Sequence, residues 1–227
     1  MSTATPSSEY DPAAIQAPAS AATTFQLAAS NQSSTLGDGY FNVYPPALTN
    51  PLASVQTLLA LVSDGISQGN ATAMTWQGGS GALALFALAA GSKLADAPRE
   101  PVALGDTVTL DWANGAFTFT AVSGGPADSI VLTFAPAVPV DTCIGMVVGP
   151  GAILVGRAGS QANLTLTPDL SPVATVVFGT AFQFPAGDFS DVGAPQLITF
   201  TPIASSAEPT AGASIEVNAD NLIVQIG

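Results

Sequence analysis

Histidine is missing from this chain of 227 residues. Its absence removes the Ser-His-Asp and Cys-His nucleophile arrangements and every imidazole metal ligand. Basic residues are nearly missing as well: Lys93, Arg99 and Arg157 stand against sixteen Asp and Glu, for a formal net charge of −13. Nucleic-acid backbones and anionic lipid surfaces are held by clustered Lys and Arg, so three scattered cations exclude nucleic acid and membrane as partners. Lys93 lies in no glycine-rich phosphate loop, and no dinucleotide fingerprint follows a strand. The single cysteine, Cys143, has no partner in the chain for a disulfide, and beside the apolar run that begins at Ile144 it reads as a small buried hydrophobe. The longest apolar stretch, Gly81 to Ala90, is about half the roughly 20 residues of a membrane helix. The first residues, MSTATPSSEYDPAAIQAP, show neither the basic nor the apolar region of a secretory signal.

What is present is apolar and rich in turns. Hydrophobic residues make up 48% of the chain and charged residues only 8%, against about 25% in an ordinary soluble domain. With 22 Gly and 18 Pro, many turns and few long helices are expected. A surface so poor in charge is solvated by Ser, Thr, Asn, Gln and backbone. That suits a surface covered by neighbouring subunits, where long charged side chains cost entropy and desolvation. It also suits exposure to a harsh exterior, where few Lys and Arg leave few sites for trypsin-like cleavage.

Residues 1–36 are dominated by Ala, Ser, Thr, Gln and Pro and read as an extended N-terminal arm for assembly, with Met1, Tyr10, Ile15 and Phe25 as its contact residues. A helix is predicted over about 51–68: Asn50 caps it, Pro51 suits its first position, and Leu52, Val55, Leu58, Leu59, Val62 and Ile66 share one face. From residue 72 onward the pattern is short strands. Residues 73–77 and 82–89 read as a hairpin around Gly78-Gly79, and 107–112 with 116–120 as a second around Asn114-Gly115. The fold class is all-β, a β-sandwich of jelly-roll type over residues 37–227, divisible into two similar modules at about 72–140 and 141–227. An echo supports the division: Phe117 and Phe119, then Val131–Phe134, are matched 65 or 66 residues later by Phe182 and Phe184, then Leu197–Phe200.

Without His, enzymatic chemistry would rest on carboxylates. Asp96 and Glu100 flank Arg99, and Asp188 lies three residues before Asp191, but the aromatic-rich cleft of a glycosidase is not suggested by two Trp and three Tyr. Asp188, Asp191 and Asp220 are the only Ca²⁺ candidates, without a complete loop signature. No cofactor is expected. Asn31, Asn70 and Asn163 each begin an Asn-X-Ser/Thr sequon.

Trp76-Gln77-Gly78-Gly79-Ser80-Gly81, followed by Thr107-Val108-Thr109-Leu110-Asp111-Trp112, resembles strands of small phage virion β-sandwich proteins of the head-decoration, spike or tail type, over residues 72–122. The resemblance implies a virion component and carries no catalytic residues. The reading is therefore a non-enzymatic structural subunit of a self-assembling particle or filament, in a virion or extracellular particle, whose partners are copies of itself and other structural proteins. A displayed carbohydrate-binding or adhesion sandwich is the alternative, and a carboxylate glycosidase the third.

Overall fold

The computed structural model describes residues 23–44, 46, 48, 56–57, 61–78, 83–89, 92, 96–148, 151–157, 163–179, 195–204 and 208–226. Among them the fold is built almost wholly from strands, arranged in four sheets. No helix of the described residues is long and apolar enough to cross a membrane.

In the first sheet β1 (Thr23–Asn31) lies between β17 (Thr210–Val217), to which it is parallel, and β5 (Ala71–Gly78), to which it is antiparallel. Both β16 (Thr201–Pro202) and β18 (Ile223–Gln225) add antiparallel to β17. The second sheet places β2 (Tyr40–Tyr44) between β4 (Leu61–Val62) and β14 (Val173–Gly179), with β15 (Gln196–Thr199) on the far side of β14. One apolar core joins these two sheets, drawing Phe25, Leu27, Trp76 and Ile215 from the first and Phe41, Val43, Val176 and Phe178 from the second.

The third sheet runs β3 (Gln56–Thr57), β12 (Gly151–Arg157), β11 (Cys143–Val148), β6 (Leu83–Leu88) and β7 (Arg99–Pro101), antiparallel throughout. The fourth runs β13 (Asn163–Leu166), β10 (Ile130–Phe134), β8 (Asp106–Ala113) and β9 (Ala116–Ser123), with β10 and β8 parallel. A second core joins this pair through Leu85, Met146 and Ile153 on one side and Val108, Leu110, Ile130, Leu132 and Leu166 on the other. The residues of β17 alternate half-buried and buried, as a strand with one face on a core must. Strand β6, Leu-Ala-Leu-Phe-Ala-Leu, is buried on both faces, with Ala84 and Phe86 packing on Val147 and Ala152 away from the second core. That explains why its sequence does not alternate.

The two pairs of sheets share most of their wiring; among the described residues β16·β17 and β12·β3 have no counterpart. The pairings β1·β5, β2·β4, β1·β17, β2·β14, β14·β15 and β17·β18 recur, each with the same sense, as β10·β13, β11·β12, β10·β8, β11·β6, β6·β7 and β8·β9. Register agrees too. Leu27 lies beside Ala213 in one parallel pair and Leu132 beside Val108 in the other. Leu27 to Leu132 and Val108 to Ala213 are each a step of 105 residues. Among the described non-glycine residues only Asn114 and Asn221 have positive φ, 53° and 63°, and they occupy the equivalent turns β8–β9 and β17–β18. The chain is thus a tandem repeat, β1–β9 and then β10–β18, whose halves are exchanged. The opening strands of each repeat pair with the closing strands of the other.

Several expectations are corrected. Strand pairing crosses the boundary expected near residue 140, because β11 and β6 are register partners. The 65-residue echo is not the repeat: β10 corresponds to β1, and Leu197 belongs to β15 on the edge of another sheet. Its second Phe pair, Phe182 and Phe184, lies outside the described residues. Residues 73–77 and 83–88 are not a hairpin, since β5 pairs with β1 and β6 with β11 and β7. Within the predicted helix, Gln56–Thr57 and Leu61–Val62 are strands and Ile66 forms a bridge to Gly39. There the open edges of β12 and β2 supply ladder partners, and that non-local pairing overrides the local apolar period. The other residues of that stretch before Leu61 lie outside the described ones. Lastly, the arm does not extend to residue 36: β1 is an inner strand with Phe25, Leu27 and Ala29 buried.

Candidate functional site

The β8–β9 hairpin helps to build a groove beside the second core. Asn114 and Gly115, with φ of 53° and 79°, make the tight turn that suits the twist of paired strands. The turn sets Trp112 and Phe117 opposite each other in the ladder. Their ring centroids are 4.4 Å apart and their planes are tilted by 57°. Both rings pack partly on the second core and keep an exposed part. With Leu88, Asp96 and Pro98 they line a groove of roughly 560 Å³, in which Ser92 and Asp96 supply the polar side chains.

This lining limits the chemistry. Two-acid glycoside hydrolysis needs two carboxyls facing one bond. Asp96 lines the groove, whereas Glu100 sits half-buried on β7 and is not among the lining residues. Arg99 between them is half-buried, and burial lowers its guanidinium pKa.

A second groove, roughly 530 Å³, opens beside the first core between Phe25, Pro172, Phe200, Pro202 and Glu208. Two of its lining residues, Phe25 and Phe200, form an aromatic trio with Trp76. Phe25 stacks on Trp76 at 5.8 Å, and Phe200 meets both edge-on at 5.3 and 5.2 Å. Phe25, expected on the assembly arm, is therefore a core residue of its own chain. Met1, Tyr10 and Ile15 lie outside the described residues.

The Ca²⁺ candidates are not gathered. Asp188 and Asp191 lie outside the described residues, and Asp220 sits in the β17–β18 turn. There the backbone N–H groups of Asp220 and Leu222 both donate to Asn218 Oδ1 at 3.0 Å. Asn221 Oδ1 accepts from the hydroxyls of Ser33 at 2.5 Å and Thr35 at 3.0 Å. These oxygens serve the turn, and no group of three His, Cys, Asp or Glu able to hold a metal occurs among the described residues. The sequon at Asn31 is equally structural. Its side chain is fully buried, donates to the carbonyls of Gly37 at 3.0 Å and Ile66 at 3.1 Å, and accepts from the Ser33 N–H at 3.0 Å. Cys143 is half-buried on β11.

A family model, that of RhiA, matches residues 22–218. The chain belongs to the RhiA family. No curated protein and no solved structure matches it. The RhiA match opens one residue before β1 and closes one residue after β17, so the family pattern runs through both units and through the aromatic groove. The Trp112–Phe117 contact was legible in part, because the Asn-Gly turn sets the register that makes these residues partners. The aromatic trio was not, since Phe25 and Phe200 carry no local signal that they converge.

Proposed function

We propose that this RhiA-family chain is a structural subunit of a self-assembling particle or filament, made of two fused β-sandwich units that act by contact and not by catalysis. The observation that supports it is the described surface itself. Val122, Val140, Leu197 and Leu222 are 63%, 71%, 57% and 52% exposed on a chain with only 8% charged residues. Such a surface loses little on being covered by a neighbour. The resemblance of residues 72–122 to phage virion proteins gives the reading its finer form, a virion component.

Light scattering and negative stain across a salt and pH series test it. With a net charge of −13, copies repel at neutral pH, so assembly tightens with added salt or mild acid. A monomer under every condition overturns the reading. The tilted Trp112–Phe117 pair beside Asp96 favours a second one, a glycan-binding module, because sugars stack on aromatic faces and hydrogen-bond to carboxylates. A glycan that changes tryptophan emission in the wild type but not in Trp112→Ala supports it.

A further inference from the structure

Strand β9 ends its sheet, and among the described residues it pairs with β8 alone. Its eight residues, Ala-Phe-Thr-Phe-Thr-Ala-Val-Ser, contain no charge, proline or glycine. Only Phe117 and Phe119 are half-buried; the other six are exposed. Natural edge strands are normally blunted by a charge, a proline, a bulge, shortness or a cover. None of the first four is present in β9.

The internal repeat supplies a control. The equivalent of β9 in the other unit is β18, and there the edge is closed. It is three residues long. Gln225 Nε2 donates to the Thr199 carbonyl at 2.7 Å and its Oε1 accepts from the Thr199 N–H at 3.1 Å, which ties β18 to β15 of the facing sheet. One fold, built twice in one chain, thus shortens and fastens this edge in one copy and leaves it long and, among the described residues, unpaired in the other.

We infer that β9 is the edge through which a second copy of this chain docks, by antiparallel strand addition that makes one sheet continuous across the pair. The inference rests on the assembly reading and names its contact surface. The occupant follows from the assembly reading, and charge selects this edge for it. A chain of net charge −13 approaches its own copy most cheaply along an edge with no charge. On the neighbouring strand β8 the carboxylates Asp106 and Asp111 lie opposite Ser123 and Thr118, and Asp96 lines the groove beside Ala116 and Phe117 at the start of β9. Across a β9–β9 pair the two β8 strands are about 14 Å apart, three strand spacings, which exceeds the screening length of about 8 Å at physiological salt.

Geometry also sets the register. Opposed residues of a pair share a face and side chains alternate with period two, so a two-fold β9 pair must be centred on a residue. Centring on Thr120 puts Thr120 against Thr120, Thr118 against Val122 and Phe119 against Ala121. It thereby keeps the two Phe119 rings from meeting at the axis.

Sedimentation and light scattering of the full chain, with thiol cross-linking, test the inference. Thr118→Lys and Thr120→Lys, both on exposed positions, should lower the association constant at least tenfold with an unchanged circular dichroism spectrum. Gln68→Lys, exposed in the turn between β4 and β5 of the other pair of sheets, should leave it unchanged. In a Cys143→Ser background, Thr120→Cys should give a dimer with a short thiol cross-linker, and Gln68→Cys should not. If the wild type associates and the β9 lysine variants associate equally well, the β9 contact is wrong while the assembly reading stands. If the wild type is a monomer throughout, both fall.

Discussion

The ring of Phe86 on β6 covers the α-carbon of Gly145, its ladder partner on β11. A β-carbon built on Gly145 would collide with the far edge of that ring. Phe86 is 1% exposed and packs with Val147 and Ala152 on the face of the sheet away from the second core. Gly145 is thus a packing requirement, not a turn. Gly145→Ala should destabilise the fold by about 1–3 kcal/mol, the usual cost of overpacking, read from denaturant midpoints. The double variant Gly145→Ala with Phe86→Leu should recover part of that loss if the ring is the obstacle.

The exchange of strands between repeats makes a further prediction. A protease site placed in the exposed Pro126-Ala127-Asp128 segment separates β9 from β10, and so one repeat from the other. The cut chain should still elute as one native species and separate only in denaturant, because β1·β17, β2·β14, β8·β10 and β6·β11 all cross the cut. Fragments that part under native conditions would contradict the exchange.

Phe25 distinguishes a core from an arm. It is 7% exposed and joined to Trp76 and Phe200. Phe25→Ala should cost about 3–5 kcal/mol of stability. An arm residue would instead change assembly and leave the melting temperature of the subunit alone.

Tyr44, 2% exposed on β2, gives a pH signature. Burial disfavours the phenolate and pushes its pKa up from 10.0 to about 12. A folded-state pKa above the unfolded value means that the folded protein holds the proton more tightly. Its contribution is complete below pH 10 and is lost as pH rises from about 10 to 12. Ultraviolet titration should show one tyrosine ionising near pH 12 in the folded protein, and this step should vanish in Tyr44→Phe.

Some of this was legible in local residues. Asn114-Gly115 between alternating runs marks the β8–β9 hairpin, and the alternation of Thr107–Trp112 marks β8. Strand β1 was hidden: its three inward residues are Phe25, Leu27 and Ala29, set in an Ala-, Ser- and Thr-rich segment whose composition reads as an arm. The segment from Leu61 to Ile66 misled in the other direction, because apolar residues spaced for a helix met the unpaired edge of β2. The aromatic groove was half visible, with Trp112 and Phe117 related by the hairpin but Asp96 brought in from a distant segment.

Composition and local pattern determined what each segment could be and what chemistry the chain could not do. The absence of His, the three cations, the period-two runs and the turn residues are properties of single residues or near neighbours, and they are readable wherever they stand. Which strand lies beside which was decided only by the tertiary structure. Strands β5 and β6 are five residues apart in sequence, yet they join different sheets and different cores, while Leu27 finds Ala213. Many of these strands are apolar, similar in length and able to pair with several others, so local preference cannot choose among them. The choice follows from the total burial achieved when all partners are placed at once. With two copies of one wiring in the chain, the same local pattern was compatible with pairing inside a repeat or across repeats, and closing two cores selected the second.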